Sequence, residues 1–570
     1  MRLLFERTSR MLEEARGLDA LMAEVEWLSH VEWGLTASAD VRVNFDITVQ
    51  DKVYEAELVY PSLFPEAPAY VRPRNPDQSW SGHQYKAGTL CLEWGPDNWH
   101  PGVTGAALVR NTFLLMAYEV VGPTLGMEAP SRHELTTGQR LRGVINRFLV
   151  TPELKAAIAA APADMSPLTV ATNARLGALV AMATKVGEAS TPNLAGVPPE
   201  ISDPNVLGSW LRAGWVIKVD EWASLPKDAT PAAVHDFLMA KGCWPYVDDA
   251  DRAWYLLLAD AQGGLRPMAL VLGEAARVYE YVLLDADADV AARQPERHAP
   301  LAGKKVAIVG LGSLGSKLAV SLARSGVTKF YLVDDDVLLP TNLVRHQLDW
   351  WSVGNDKVEA VKAAIMLVRP DADVQSKNFR FTGQESSSYN TAVLEQIAAC
   401  DLVIDATASP KVFSSIAAIC SRRRVACIWG EVYAGGIGAQ MARSIPGHDS
   451  DPLAVRAAIH QYLAGKPEAP FKRAQAYDVE DDQQVFVGGD AEVSHLAASM
   501  TQLAVDALVG AGQYKFPVPA YLMGYQLAWI FEAPFDTHPI ACPHVEADEP
   551  VLDAAAAKEA LGELVSKFTS

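Results

Sequence analysis

The chain has 570 residues, of which 49% are hydrophobic, and a formal net charge of −20. That length holds several domains, each able to bury a core, and the acidic balance excludes sequence-independent binding to nucleic acid, which neutralises phosphates with Lys and Arg. No uninterrupted apolar run approaches the ~20 residues that span a bilayer, and the charged opening "MRLLFERTSRMLEEARGLDALM" lacks the apolar core and cleavage site of a signal peptide, so a soluble cytoplasmic protein with no membrane contact is expected.

Six cysteines stand at positions 91, 243, 400, 420, 427 and 542. None forms a Cys-x-x-Cys pair or a Cys/His cluster at zinc spacing, so neither a disulfide framework nor a structural zinc is expected. In chain order, an amphipathic helix is predicted around Thr8 to Trp27. In "VRVNFDITV" the residues Val41, Val43, Phe45, Ile47 and Val49 alternate with polar ones, the period of a half-buried strand. After a polar turn at Gln50 to Lys52, a second run carries Tyr54, Leu58 and Tyr60, and the two runs pair as an antiparallel hairpin. The proline-rich "YPSLFPEAPAYVRPRNP" then ends regular ladder pairing. The loop "GTLCLEWGPDNWHPG" holds Cys91, and "GAALVRNTFLLMAYEVVG" reads as a helix. This first part, 1–152, is an α+β unit.

The middle region, 153–298, is the least informative. Residues 155 to 203 are rich in Ala, Pro, Thr and Ser, with helix-prone patches and a loop at "GEASTPNLAGVPPE". From "AGWVIKVDEW" to "VYEYVLLDAD" the chain turns strand-like, with β-branched and aromatic runs. A small α/β region is expected, joined by the polar "DADADVAARQPERHAPLAG" to the third part, 299–570.

The third part opens with "KKVAIVGLGSLGSKLAVSLARSGVTKFYLVDDD". It reads as a strand at Val306 to Val309, a turn with Gly310, Gly312 and Gly315, a helix with Leu318, Ala319, Leu322 and Ala323 on one face, and a second strand ending at Asp334. The glycines permit a tight turn and let phosphate oxygens approach N–H groups at the positive end of a helix, while an acid some twenty residues on accepts ribose hydroxyls. Asp334 follows Gly315 by 19 positions. A Rossmann-like nucleotide site is implied, and a dehydrogenase satisfies it as well as any other enzyme.

"DDDVLLPTNLVRHQLDWWSVGNDKVEA" separates these readings, because it resembles the adenylation motif of the ubiquitin-activating (E1) and ThiF/MoeB family. The Asp-x-Asp falls on Asp334 and Asp336, the Asn-Leu-x-Arg on Asn342 and Arg345, and the Gly-x-x-Lys on Lys357. "DLVIDATAS" matches the family's Asp-x-Thr-Asp at Asp405 and Thr407, with Ala408 in place of the second acid. The resemblance implies that these residues bind ATP, with Asp405, or alternatively Asp336, as the ligand for Mg²⁺. The family's Gln after the Arg is displaced, His346 taking its position and Gln347 following.

The Cys91 loop resembles the active-site loop of ubiquitin-conjugating (E2) enzymes, in which Gly-x-x-Cys-Leu is followed by Trp-x-Pro. Cys91-Leu92 and Trp99-His100-Pro101 fit, whereas "RNPDQSWSGHQY" stands where the family's His-Pro-Asn would be. The order, a UBC-like domain ahead of a ThiF/E1-like domain, resembles the E2–E1 fusion proteins of bacterial antiphage CBASS operons, and the resemblance makes the middle region a linker or an inactive-adenylation-like region. The resemblance implies an acyl relay: adenylation of a protein's C-terminal carboxylate, capture by an E1 cysteine, transfer to Cys91, and conjugation to a target amine. It further implies a homodimer and, as substrate, the C-terminus of a cGAS-like nucleotidyltransferase. His83, His100 and the loop's N–H groups are the groups placed to activate Cys91, since a thiolate is the reactive form. Cys400, Cys420 and Cys427 lie in apolar contexts typical of buried thiols, so Cys542, in the polar "THPIACPHVEADEP", is selected as the E1 cysteine. The alternatives are a ThiF/MoeB-type adenylyltransferase, conjugation of a bacterial ubiquitin-like protein, or a nucleotide-binding scaffold with inert thiols.

Overall fold

A computed structural model describes residues 2–75, 77–81, 83–85, 88–121, 138, 141, 143–194, 209–222, 224–226, 228–244, 253–271, 276–285, 294–381, 386–468, 488–510, 512–543 and 554–569. Residues 195–200 of the expected loop at 187–200 lie outside them. The chain divides into two compact units between residues 142 and 143.

The first unit is a meander of β1 (Leu28–Leu35), β2 (Val41–Val49), β3 (Lys52–Tyr60) and β4 (Tyr70–Pro73), antiparallel throughout and hydrogen-bonded in that order. The alternation in β2 is realised: its five apolar residues are buried, facing Leu18 and Leu21 of the helix Thr8–Glu24 and Leu108, Val109 and Met116 of the helix Gly105–Val121. The proline-rich stretch departs from expectation, because Tyr70–Pro73 does pair with β3, Pro73 lying opposite Ala56. It does so at the edge of the sheet, where proline's missing N–H costs no ladder bond. Glu14, 1% exposed, ties the helices to the sheet, accepting from Tyr60 Oη at 3.0 Å and from Gly105 N at 2.6 Å.

The second unit holds two eight-stranded sheets. The first comprises β5 (Asn146–Val150), β6 (Met165–Arg175), β7 (Ala178–Val186), β8 (Ser209–Val219), β9 (Ala253–Asp260), β10 (Leu265–Val271), β11 (Arg277–Glu280) and β12 (Val282–Asp285), in the order 11-10-9-8-6-7-5-12. Since β5 pairs with β7 and β12, the division falls at 142 and not at 152. β6 and β7 occupy the Ala- and Thr-rich stretch that gave no strand signal; their hairpin turns on Leu176 and Gly177, with φ of 52° and 76°, the left-handed pair that favours Asn-Gly. The sheet is mixed, and its antiparallel pairs outnumber the parallel ones.

The last sheet comprises β13 (Lys305–Val309), β14 (Lys329–Asp334), β15 (Asp373–Asn378), β16 (Leu402–Asp405), β17 (Ala426–Tyr433), β18 (Gly438–Ser444), β19 (Ala520–Gly524) and β20 (Thr537–Ile540), in the order 15-14-13-16-17-18-19-20. The first five run parallel and the last three return antiparallel. Helices Ser313–Ser325, Lys357–Val368 and Asp490–Val509 supply one core, and Ser387–Ala398, Pro410–Arg423 and Pro452–Ala464 the other. A sheet buried on both faces explains why β13 is apolar at every position from Val306 to Val309. The strand order reverses between β14 and β16 on either side of β13, the place where such sheets bind ligands. No helix among the described residues is long and apolar enough to cross a membrane.

Candidate adenylation site and cysteine loop

The expected βαβ unit forms as read. Gly310 leaves β13 at φ 84°, and its N–H donates to Val333 O at 2.9 Å. A Cβ on Gly315 would stand 1.9 Å from Gly310 O, and one on Gly310 would meet Thr407, whereas one on Gly312 would meet nothing within 4 Å. Two glycines are thus demanded by backbone packing, and the third opens onto free space. Gly312 precedes the helix Ser313–Ser325 without a side-chain cap, so the first N–H groups of that helix present an anion-binding end.

Asp334, at the end of β14, accepts from Leu311 N at 2.6 Å and from Asp336 N at 2.9 Å. Burial raises its pKa; the two amides and the Lys357 charge act in the opposite sense. Lys357, 6% exposed, begins its helix with Nζ in an ion pair with Asp336 Oδ2, while its N–H donates to Asp336 O at 2.9 Å. Arg345 Nε donates to Ser313 Oγ at 3.1 Å, holding the segment after β14 over the helix N-terminus. His346, where the family has Gln, donates from Nε2 to Leu311 O at 2.8 Å, and Nδ1 accepts from Leu348 N at 3.2 Å. Its burial depresses the imidazole's pKa, which favours that neutral form. Asn342 takes up a local task, its Oδ1 accepting from Leu339 N at 2.9 Å.

Asp405 ends β16 opposite Val309. Its Oδ1 accepts from Thr407 N at 2.9 Å and Thr407 Oγ1 at 2.6 Å. Burial pushes its pKa up to about 6, moderated by the Thr407 bonds and the Arg456 charge and reinforced by Glu431. Ala408 has φ 53°, a left-handed conformation that an Asp adopts more readily than an Ala. The backbone there retains a shape suited to the missing acid. Beside it lies an open pocket lined by Asp405, Ala408, Trp429, Glu431, Gln440 and Arg456 among others. The last three escaped the sequence reading, because β17, its antiparallel return through β18 and a later helix bring them in; Gln440 Nε2 donates to Glu431 Oε1 across the ladder at 2.6 Å. Among the described residues no group of three His, Cys, Asp or Glu is placed to hold a metal.

The thiols divide by burial. Cys400, Cys420 and Cys427 are buried, and burial pushes the Cys400 thiol up to about 11. Cys91, Cys243 and Cys542 are partly exposed. Cys542 follows β20 with Sγ 3.9 Å from Pro543 O. Cys91 leaves a short antiparallel bridge, Gln84 to Leu90, and its N–H donates to His83 O at 2.7 Å. The side chain on its sulfur is one the sequence did not single out: Tyr85 Oη donates to Sγ at 3.7 Å. His83 contributes its carbonyl, and His100 Nδ1 accepts from Gly102 N at 3.2 Å while its ring stands edge-on to Trp94.

Comparison with known proteins finds that residues 287–461 match the ThiF family model. The chain is similar to the ATP-dependent ubiquitin transferase-like protein Cap2 of Enterobacter hormaechei, 38% identical over 115 residues, 20% of this chain and 18% of that protein. It is also similar to the uncharacterized protein y4qC of Sinorhizobium fredii, 36% identical over 26% of each chain, and to the tRNA threonylcarbamoyladenosine dehydratase of Haemophilus influenzae, 30% identical over 26% of this chain and 52% of that one. The matches thus span about half or less of these relatives' lengths. Among solved structures, E. coli MccB with ATP is 17% identical, covering 45% of this chain and 68% of that one, with a TM-score of 0.34. The chain carries a ThiF-type domain and is similar to Cap2 ubiquitin transferase-like proteins.

Proposed function

We propose that the protein is an E1–E2 fusion enzyme that activates a protein's C-terminus with ATP and conjugates it to an amine, in the manner of the CBASS fusion proteins it resembles. The observation carrying the adenylation step is the buried Lys357 beside Asp336 at the mouth of the glycine turn, a preorganised cation where phosphate charge develops. Arg345 is tied to the same helix end. The incoming carboxylate oxygen attacks the α-phosphorus and pyrophosphate leaves. Cys542 Sγ then attacks the acyl carbon, expelling AMP, and Cys91 displaces Cys542 in turn. A target amine finally displaces Cys91, its proton passing to solvent. A cGAS-like nucleotidyltransferase is the proposed acyl donor, a protein or small-molecule amine the acceptor, and a homodimer in the cytoplasm the working state.

Mg²⁺ fits the site as an ion carried largely by the phosphates, since Mg²⁺ typically takes one or two carboxylates and completes its shell with phosphate oxygens and water. Asp405 would hold it, with Glu431 a further acid whose charge acts on Asp405; the ion would neutralise phosphate charge. Intact-mass measurement of the chain with MgATP and a neighbouring-gene nucleotidyltransferase tests the reading. A thiol-labile adduct on Cys91 and on a second cysteine supports the relay and identifies the second thiol. Adenylate without thioester reduces the protein to a ThiF-type adenylyltransferase.

A further inference from the structure

The family's His-Pro-Asn is absent ahead of Cys91, and the structure bears on which group replaces the asparagine amide. Two asparagines, Asn98 within the loop and Asn111 on the helix after it, are committed elsewhere. Asn98 Oδ1 accepts from Gly95 N at 2.8 Å and its Nδ2 donates to Glu93 O at 2.7 Å. Asn111 Oδ1 accepts from Glu93 N at 2.6 Å and its Nδ2 donates to Glu93 Oε2 at 3.1 Å. Both hold the chain that follows Cys91. The segment before it folds back instead: Tyr85 N donates to Thr89 O at 2.9 Å, Leu90 N to Val71 O at 2.9 Å, and Cys91 N to His83 O at 2.7 Å. This return fixes Tyr85 across from the sulfur, with Oη 3.7 Å from Sγ and the side chain 54% exposed.

We propose that the Tyr85 hydroxyl is the hydrogen-bond donor to the acyl oxygen when an amine displaces Cys91, a role that rests on Cys91 being the acyl carrier. In an acylated Cys91 the carbonyl carbon is bonded to Sγ and its oxygen lies one bond further out, on the open side that Tyr85 borders. As the amine nitrogen bonds to that carbon, the carbonyl π pair moves onto oxygen, and Tyr85 donates to the developing oxyanion. Collapse breaks the C–S bond, the electron pair leaves with Cys91 Sγ, and the amine's proton passes to solvent; Tyr85 then donates to the released sulfur, as it does in the structure. With Cys91 free, the bond to Cys91, followed by partial burial and the charges of Cys91 and Asp97, pushes the Tyr85 phenol up to about 12.

The test compares the full-length wild type with Y85F, which keeps the half-exposed ring and removes only the donor. Each is acylated on Cys91 with a short peptide α-thioester of mercaptoethanesulfonate, freed of excess donor, and discharged with free lysine while intact mass is followed. The expected result is a maximal discharge rate about 10²-fold lower in Y85F, the size of effect seen when one oxyanion donor is removed. The lysine concentration for half-maximal rate and the unfolding midpoint should not change. Equal maximal rates would overturn the role of Tyr85. An adduct that persists unchanged in C91A would instead sink the acyl-carrier reading itself, and Tyr85's role with it.

Discussion

The two proposed centres differ in how they are held. At the glycine turn, Asp334, Asp336, Lys357 and Arg345 come from separate elements and are joined by backbone amides, an ion pair and a serine hydroxyl. At Cys91 the sulfur meets one tyrosine hydroxyl at 3.7 Å across a short loop. The first arrangement is a network whose members fix one another; the second depends on a turn of local backbone. A site that must hold a highly charged nucleotide benefits from fixed dipoles. A thiol that must accept an acyl group from one partner and release it to another needs access, and Cys91 keeps it by partial exposure.

The sharpest break between the two centres is C91A. It should abolish conjugation while ATP–pyrophosphate exchange stays at the wild-type rate, and conjugation that persists would remove Cys91 from the pathway. K357A comes next, with exchange expected to fall about 10³-fold, as removal of a preorganised charge partner does. The fold should survive, because the Asp336 side chain left behind is 62% exposed; unchanged exchange would return Lys357 to a structural role. The smallest effects separate the two kinds of glycine. G315A drives a Cβ into the Gly310 carbonyl and should cost roughly 1–3 kcal/mol as an overpacked site does. Gly88, at φ 88° with open space around it, should cost only about 1–2 kcal/mol on substitution by alanine, from backbone strain alone. Denaturant midpoints of G315A and G88A measure this, and equal losses would mean that the nucleotide loop is no more tightly packed than the cysteine loop.

Legibility in the sequence follows the same division. The glycine turn and its flanking strands were readable because strand, turn and helix are contiguous and each declares its own period. β2, β3 and the helix Gly105–Val121 were readable for the same reason. β1 was not: its buried and exposed residues do not alternate, and its pairing slips between Ser29 and Glu32. β4 was hidden by prolines that an edge strand tolerates, and β6 and β7 by a turn made from Leu176 and Gly177 without the usual Asn or Asp. Of the groups around Asp405, Thr407 was visible because it is two positions away, while Glu431, Gln440 and Arg456 were not.

What the sequence determined by itself is the chemistry available: a glycine turn between strand and helix followed by acids, an asparagine, an arginine and a lysine in one order, and a cysteine in a glycine- and tryptophan-rich loop. Only the tertiary structure decided how those groups act on each other. The ion pair of Lys357 with Asp336, the burial that lifts Asp405 to about 6, and the approach of Tyr85 to Cys91 all follow from strand order and chain reversal. Charge interaction and burial depend on distance and on exclusion of water, and neither quantity is a property of any stretch of sequence taken alone.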